Sequence, residues 1–189
     1  MDLSDAAVLF SHEPLDRASD ARADPAWIAA RLDDPSTLVL PLWRGDPLVR
    51  GERLAFLGVS ALASFPADAR RIFLGLLNGA ACFAVDASAA PAPQSAPLAD
   101  LGTYMPLREA AGALPPDDLA VAGEARWLMD WHRRHLHCAV CGAPTQMKDG
   151  GAKRQCGSCA AEHFPRSDPV AIVLATHEDA CLLGRSPQF

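Results

Sequence analysis

The chain has 189 residues, half of them hydrophobic and about a fifth charged, with a formal net charge of −6. Its length suits one ordinary domain plus a small module, and its composition is that of a globular protein. The acidic balance argues against general nucleic-acid binding, which requires a basic face. No stretch approaches the roughly 18 apolar residues of a membrane span, and the opening MDLSDAAVLF lacks the basic residues of a secretory signal. We therefore expect a cytoplasmic protein with no membrane partner, in which paired cysteines favour metal sites over disulfides.

The first part of the chain contains several short runs that are typical of β-strands. These runs are TLVLPLW (37–43), DPLVR (46–50), RLAFLGV (53–59), RIFLGLL (71–77) and ACFAVD (81–86). The intervening RGDP (44–47) and NGA (78–80) carry the residues of tight hairpin turns. A short helix is predicted in DPAWIAARLDD (24–34), where proline lies near the first turn. Together these elements predict a small mixed α+β domain over residues 1–113.

A change in composition follows this domain. Alanine, proline and serine without periodicity predict a linker or surface loop over about residues 87–100. PLREAAGAL (106–114) is predicted to be helical. A longer helix is predicted from Asp117 to Arg134, because two prolines and two aspartates suit its start. Its apolar face is predicted to contain Ala125, Leu128 and either Trp131 or His132.

Two C-x-x-C pairs then occur within CAVCGAPTQMKDGGAKRQCGSC (138–159). The four predicted metal ligands are Cys138, Cys141, Cys156 and Cys159. Four thiolates at this spacing are typical of a closed structural zinc site, which has no open position for catalysis. Gly142 and Gly157 are expected where backbone amides turn back toward sulfur, and KDGG (148–151) is expected to form the turn between the pairs. The helix and this zinc ribbon together form the predicted unit 114–165.

Other interpretations of the cysteines and histidines stay open from the residues alone. Iron has the same ligand set as zinc, whereas local disulfides require an oxidising compartment. A lone C-x-x-C would suit a thiol redox protein better than two pairs do. Cys82 and Cys181 are expected to be small buried apolar residues, and His137 is a weaker alternative ligand. His132 and His135 are expected to cap the end of the long helix.

The last residues predict a hairpin. VAIVLAT (170–176) and ACLLGRS (180–186) flank the turn HED (177–179). A lone hairpin is marginal in water, so we expect it to pack on the ribbon, to pair with another chain, or to be poorly ordered. Residues 166–189 form the third predicted unit.

The order of these motifs resembles the NADH pyrophosphatase branch of the Nudix hydrolases. The likeness takes in PLWRGDPLV, FLGLLNGAACFAVD, LREAAGALPPDD, the helix end WHRRH, the four-cysteine ribbon and PRSDPVAIVLA. The resemblance implies that the diphosphate of NADH, NAD or a related dinucleotide is hydrolysed to two mononucleotides, and that some members remove a NAD cap from RNA. It also implies a homodimer, and attack on phosphorus by a water that Mg²⁺ or Mn²⁺ activates.

The catalytic part of that resemblance is absent from these 189 residues. The family's Nudix box places Arg-Glu-x-x-Glu-Glu on a helix, whereas this sequence contains no Glu-Glu pair, and its one Arg-Glu dipeptide, Arg108-Glu109, runs into AAGAL. We therefore expect the amino-terminal half of such an enzyme, ending in the first hairpin of a truncated Nudix α/β/α catalytic domain. No catalytic residue is predicted, and Mg²⁺ or Mn²⁺ is expected only with the missing domain.

Substrate contacts are predicted by the same resemblance. Phe164 stands where family members stack an aromatic ring on the dinucleotide, and Ile172 matches an apolar residue of the same pocket. Arg44 and Arg108 are the nearest matches to basic residues that approach the substrate. Each could instead be an ordinary core or surface residue.

A different class of function is also consistent with the motifs. A free-standing zinc-ribbon module that recruits a protein or nucleic acid would present a basic or aromatic face. Lys148, Lys153 and Arg154 are the residues that could form such a face.

Overall fold

The computed structural model describes residues 10–168 and 173–184. The strands are β1 (Leu15–Asp16), β2 (Leu38–Trp43), β3 (Asp46–Arg50), β4 (Arg53–Leu54), β5 (Leu57–Gly58), β6 (Arg71–Leu77), β7 (Ala80–Asp86), β8 (Thr103–Tyr104), β9 (Thr145–Lys148), β10 (Lys153–Cys156), β11 (Glu162–His163), β12 (Thr176–His177) and β13 (Ala180–Cys181). The α-helices are α1 (Pro25–Leu32), α2 (Leu107–Ala110) and α3 (Pro116–Arg134). Short 3-10 helices cover Ala21–Ala23, Val59–Ser64, Pro93–Ser95, Ala99–Leu101 and Asp149–Gly151. The fold is therefore of the predicted α+β class.

The first half of the chain forms one eight-stranded sheet. Its strand order is β1-β6-β7-β2-β3-β4, with β5 also pairing with β2 and β8 with β3. Strands β2 and β7 are parallel, with Leu38 opposite Cys82 and Leu42 opposite Asp86, whereas the other pairs are antiparallel. The carboxyl ends of β2 and β7 therefore lie side by side at one edge of the sheet.

Two hairpin turns have the predicted positions. Arg44 and Gly45 connect β2 to β3 with φ angles of 52° and 90°. Asn78 and Gly79 connect β6 to β7 with φ angles of 51° and 85°. Positive φ at both central residues is the requirement of a type I′ turn, which matches the twist of the flanking strands.

The predicted strand 53–59 is divided in the structure. Leu54 pairs with Val49 of β3, whereas Leu57 pairs with Val39 of β2. The prediction of one continuous strand was wrong, because the chain leaves one edge of the β2–β3 hairpin and joins the other within three residues.

Each face of the sheet has its own apolar cluster. Helix α3 covers the first face with Leu119, Ala122, Ala125, Leu128 and Met129, which pack against Leu40, Leu42, Ile72 and Leu74. Val39, Leu48, Phe65, Val85 and Tyr104 form the second cluster, together with Ala87 and Ala96. The segment 87–100 therefore lies on the sheet as a surface loop. The hydroxyl of Tyr104 donates to the carbonyl of Pro97 in this loop at 2.6 Å.

Helix α3 has the predicted extent and the predicted buried face. It runs over Pro116–Arg134 with Asp117 and Asp118 in its first turn. Asp118 does more than face the helix dipole, because its buried carboxylate accepts from Arg53 Nε at 2.7 Å and from the Leu54 amide at 2.9 Å. This pair connects the start of α3 to β4, which the sequence did not predict. None of the described helices is long and apolar enough to cross a membrane.

The final hairpin is shorter than predicted within the described residues. Thr176 pairs with Cys181 and His177 with Ala180, while parts of the predicted strands 170–176 and 180–186 lie outside the described residues. Val173 and Leu182 are about four-fifths exposed, so these residues pack on nothing in the described chain. Cys181 is exposed, and the expectation that it is buried was wrong, because a two-residue strand pair provides no core. Cys82 is buried as expected.

Candidate metal centre

The structure brings the four predicted cysteines together. Their Sγ atoms, from Cys138, Cys141, Cys156 and Cys159, all lie within 4.8 Å of one another. The shortest separations are 3.4 Å for Cys141–Cys159 and 3.5 Å for Cys141–Cys156. A disulfide requires about 2.0 Å, whereas thiolates bound tetrahedrally to one zinc lie about 3.8 Å apart. The geometry therefore fits four ligands of a single ion.

The two C-x-x-C segments adopt the same backbone conformation. In each, the first cysteine's carbonyl accepts from the amide four residues later, and its amide donates to the carbonyl five residues later. The residue that follows the second cysteine has positive φ in both segments, 77° at Gly142 and 59° at Ala160. Gly157 lies inside the second pair, as expected, where the amides of Ser158 and Cys159 turn toward the sulfur of Cys156. An alanine occupies the second left-handed position, where glycine would be favoured.

Backbone donors favour thiolate at the buried cysteines. The amides of Cys159 and Ser158 point at the sulfur of Cys156 and lower its pKa to about 6. Burial opposes ionisation at Cys138, but amide donors, including Val140, outweigh it and lower its pKa. The pKa of Cys159 is raised to about 12, because hydrogen bonds with the other sulfurs outweigh the amide of Ala161. Four thiolates at neutral pH therefore need a cation to offset their mutual repulsion.

The histidine that contacts the cysteine cluster is His163, and not the predicted alternative ligand His137. His163 Nε2 lies 3.3 Å from Cys138 Sγ, within hydrogen-bonding reach of the sulfur. Such contacts from outside the ligand set orient and tune metal-bound thiolates. His137, the alternative ligand, lies beside Cys138 but is not part of the four-residue group found among the described residues. Nothing in the sequence singles out His163 beyond its position on the strand that follows the second pair.

The basic face that a recruitment module would need is largely occupied. Lys153 forms ion pairs with Glu162 at 2.8 Å and with Asp149 at 3.1 Å. Arg154 is 6% exposed and donates within the protein. Of the three predicted basic residues, Lys148 alone is exposed and forms no ion pair within the described residues. This distribution does not favour the recruitment interpretation.

The tip of the ribbon docks on the sheet domain. Arg22, itself buried, donates from Nε to the Asp149 carbonyl at 3.1 Å and from Nη2 to the Phe73 carbonyl at 2.7 Å. Gly150 and Gly151 have φ angles of 59° and 104°, and their backbones lie against the apolar side chains of the sheet domain. A methyl group at Gly151 would approach Ile72 Cγ2 to 2.8 Å, closer than real contacts allow. The predicted turn KDGG is therefore also the anchor of the ribbon.

Replacement of Gly151 by Ala is expected to destabilise the protein by about 2 kcal/mol, because it combines an unfavourable φ with overpacking. Chemical denaturation would measure the loss. Gly157→Ala is the matched control, since a methyl group there meets nothing within 4 Å. Equal stability of the two variants would show that the tip is not anchored as described.

A buried histidine joins the end of α3 to this anchor. His132 is fully buried, and its Nε2 lies 2.8 Å from the Gly151 carbonyl. Arg154 Nη1 lies 3.1 Å from Nδ1. Because arginine can only donate, Nδ1 must accept and Nε2 must carry the proton. Burial lowers the pKa of His132 to about 4, with the nearby Arg154 adding to the effect against the opposing bond to Gly151.

The expected capping role is divided between the two histidines. His132 is neutral and buried, so the prediction that it caps the helix was wrong. His135 does cap it, because its Nδ1 lies 2.8 Å from the Trp131 carbonyl in the last turn and its ring stacks on Trp131.

Two protein-family models match consecutive parts of the chain, one in the sheet domain and one in the ribbon. A family model described as "NADH pyrophosphatase-like rudimentary NUDIX domain" matches residues 36–131, which cover the sheet and most of α3. The chain belongs to the NADH pyrophosphatase family of Nudix proteins. A second model, "NADH pyrophosphatase zinc ribbon domain", matches residues 133–164 and contains all four clustered cysteines.

Curated members of the NADH pyrophosphatase family are similar over parts of their length. The chain is 34% identical over 141 residues to "NAD(P)H pyrophosphatase NUDT13, mitochondrial" of Mus musculus, covering 68% of this chain and 40% of that protein. It is 28% identical over 225 residues to "NAD-capped RNA hydrolase NUDT12" of Homo sapiens, covering 95% and 49%. It is 36% identical over 83 residues to "NAD-capped RNA hydrolase NudC" of Stutzerimonas stutzeri, covering 44% and 30%. The chain thus spans about half or less of the length of these relatives.

Within the described residues, the structure does not bring the predicted substrate contacts together at one site. Phe164 follows β11 and is 58% exposed, so it is not an ordinary core residue here. Arg44 and Arg108 line two neighbouring cavities that share Arg126. Ile172 lies outside the described residues. Phe164 lines neither of these cavities.

Proposed function

We propose that this chain is the amino-terminal and zinc-ribbon portion of a Nudix diphosphatase that splits NADH or NAD into two mononucleotides. The observation that carries the proposal is the continuity of the two family matches, 36–131 and 133–164, along a ribbon that docks on the sheet. The relatives' names supply the substrate class, NAD(P)H or NAD-capped RNA. The proposal includes removal of a NAD cap from RNA as a second reaction of the same site.

In this proposal the ribbon holds Zn²⁺ and has a structural role. Four cysteine ligands complete a tetrahedron, so no position is left for a reacting water. The ion instead fixes the two cysteine pairs, while Arg22 and His132 fix the ribbon tip to the sheet. The chain that leaves β11 at Phe164 is thereby held in a defined position relative to α3.

Hydrolysis of the diphosphate requires carboxylates that these 189 residues do not group together. Hydrolysis in this family uses Mg²⁺ or Mn²⁺ held by grouped carboxylates. The glutamates that follow Glu124 are Glu162 and Glu178. Glu162 is paired with Lys153, and Glu178 lies in the turn of the final hairpin. We therefore propose that the 189 residues alone do not catalyse, and that the divalent ion binds only with a Nudix catalytic segment.

The proposed substrate contacts are Phe164, Ile172, Arg44 and Arg108. Exposure of Phe164 supports a stacking role, because a large aromatic ring left in water has no packing role to explain it. The arginines suit phosphate groups through their bidentate geometry. A homodimer and a cytoplasmic location are further parts of the proposal. Light scattering would determine the oligomeric state.

The test uses the chain continued into a Nudix catalytic segment, assayed with NADH and Mg²⁺ or Mn²⁺. Phe164→Ala is expected to lower kcat/KM about tenfold, since base–aromatic stacking contributes roughly 1–3 kcal/mol. Trp127→Ala is the matched control, because Trp127 is also a partly exposed aromatic ring, at 39%, but lines neither the cavity of Arg44 nor that of Arg108. Unchanged kcat/KM in the Phe164 variant would remove this residue from the substrate site.

A further inference from the structure

A cleft of about 490 Å³ opens at the carboxyl ends of the parallel strands β2 and β7. Arg44 of the β2–β3 turn forms one wall, Asp86 and Ser88 at the end of β7 form the floor, and α3 forms the other wall. The volume lies in the range of small-ligand sites, roughly 300–1,000 Å³. The carboxyl ends of parallel strands are also where open α/β sheets bind their ligands.

The cleft is basic although the whole chain is acidic. Four guanidiniums line it, those of Arg44, Arg70, Arg126 and Arg133. The carboxylates in its lining are those of Asp86 and Asp130. The formal charge remains positive even when Asp46, the ion-pair partner of Arg126, is added. This concentration contrasts with the net charge of −6 for the 189 residues.

Carboxylates hold three of the guanidiniums in place but occupy only some of their N–H donors. One of these pairs is that of Arg126 with Asp46. Arg133 donates to Asp130 at 2.6 Å, and Arg70 Nη1 lies 3.3 Å from Asp86. Each of these pairs engages one nitrogen of a guanidinium, which has five N–H donors. The remaining donors are available to an anion that enters the cleft.

Arg44 and Ser88 add donors of a different kind. Arg44 lies over the Trp43 ring at 4.7 Å and has no carboxylate partner among the described ion pairs. Stacking fixes its position while leaving its N–H groups free to donate. The hydroxyl oxygen of Ser88 accepts from the Arg44 amide at 2.8 Å, which leaves its O–H to donate into the cleft.

We propose that this cleft is a binding site for a phosphate group, as inorganic phosphate or as a phosphate monoester. Planar guanidiniums bind phosphate oxygens through paired, charge-assisted hydrogen bonds. Within the described residues no aromatic face lines the cleft, so recognition is of the phosphate and not of a base. The inference rests in part on the proposed function, because the cleft shares Arg44 with the proposed substrate contacts, but phosphate binding here requires neither a Nudix box nor catalysis. Hydrolysis can therefore fail while phosphate binding succeeds, and the reverse also holds.

Titration calorimetry of the 189-residue chain with inorganic phosphate, at constant ionic strength in chloride, tests the site. Arg44→Gln and Arg133→Gln are each expected to weaken phosphate binding about tenfold, because each variant loses a charge-assisted hydrogen bond to the phosphate. Arg134→Gln is the matched control, since Arg134 shares Asp130 with Arg133 and is equally exposed but does not line the cleft. It is expected to change affinity less than twofold.

Equal losses in the Arg133 and Arg134 variants would mean general surface charge, and would overturn the proposal. Absence of saturable binding up to about 20 mM phosphate would overturn it as well.

Titrations with AMP and with adenosine distinguish inorganic phosphate from a phosphate monoester as the ligand. AMP binding more tightly than inorganic phosphate assigns a monoester, and equal affinities assign free phosphate. Adenosine that binds as well as AMP contradicts phosphate recognition. In NMR spectra, phosphate is expected to shift the amide signals of Arg44 and Ser88 first.

Discussion

Replacement of Cys156 by Ser is expected to abolish metal binding and to unfold the ribbon from residue 135 onward. Cys156 is buried, has a pKa that its backbone amide donors lower to about 6, and accepts hydrogen bonds from two backbone amides. Structural zinc contributes about 10–16 kcal/mol to small metal-dependent domains. This exceeds what the short strands β9, β10 and β11 can supply without an ion. Metal analysis should fall from about one zinc per chain to none, and limited proteolysis should remove the carboxy-terminal third.

Cys181→Ser provides the matched control. Cys181 undergoes the same chemical change but is exposed on the final hairpin, away from the cluster. Its zinc content and protease resistance should equal those of the parent chain. A Cys156 variant that retains one zinc and a protease-resistant ribbon would contradict the four-thiolate site.

His132→Ala is expected to destabilise the chain by about 3 kcal/mol at pH 7. The substitution leaves a cavity and removes the imidazole from its two hydrogen-bond partners, the guanidinium of Arg154 and the carbonyl of Gly151. A buried polar group without a partner costs about 1–3 kcal/mol, and more when charged. His132→Asn keeps an acceptor near Nδ1, whereas His132→Gln keeps a donor near Nε2. Each is expected to recover part of the loss in urea denaturation.

The same residue predicts how stability depends on pH. Its folded pKa of about 4 lies below the ordinary value of 6.5. The unfolded chain therefore binds the proton first as pH falls, so stability is complete above about pH 6.5 and decreases toward pH 4. The expected loss between pH 7 and pH 5 is about 2 kcal/mol from this group. His132→Asn should lack this component, and identical pH profiles of the variant and the parent would show that His132 is not held neutral by burial.

Local signals explain what could be predicted from the sequence. The turns at Arg44-Gly45 and Asn78-Gly79 follow from their own residues, because type I′ turns demand positive φ at both positions. The start of α3 follows from its prolines and aspartates, and its buried face from its period. The cysteine spacing likewise indicates one shared ion.

Contacts between distant residues explain what could not be predicted. The pair of Asp118 with Arg53, and the bond between His132 and Gly151, connect side chains whose partners no local pattern specifies. The two glycines of KDGG indicate a turn, but their close approach to Ile72 depends on how the ribbon packs on the sheet. In the second C-x-x-C segment the left-handed conformation falls at Ala160, a residue type that gives no signal for it. The basic cleft could not be predicted either, because its arginines come from three separate parts of the chain.

We propose that these 189 residues supply the sheet domain and the zinc ribbon of an NADH diphosphatase but none of its catalytic residues. The most direct measurement incubates the purified, zinc-bound chain with NADH and Mg²⁺ or Mn²⁺ and follows the release of mononucleotides. We predict no release above that of a protein-free control. Turnover in the ordinary enzymatic range, about 1–10³ s⁻¹, would contradict the claim, because it would require a carboxylate site that this sequence does not contain.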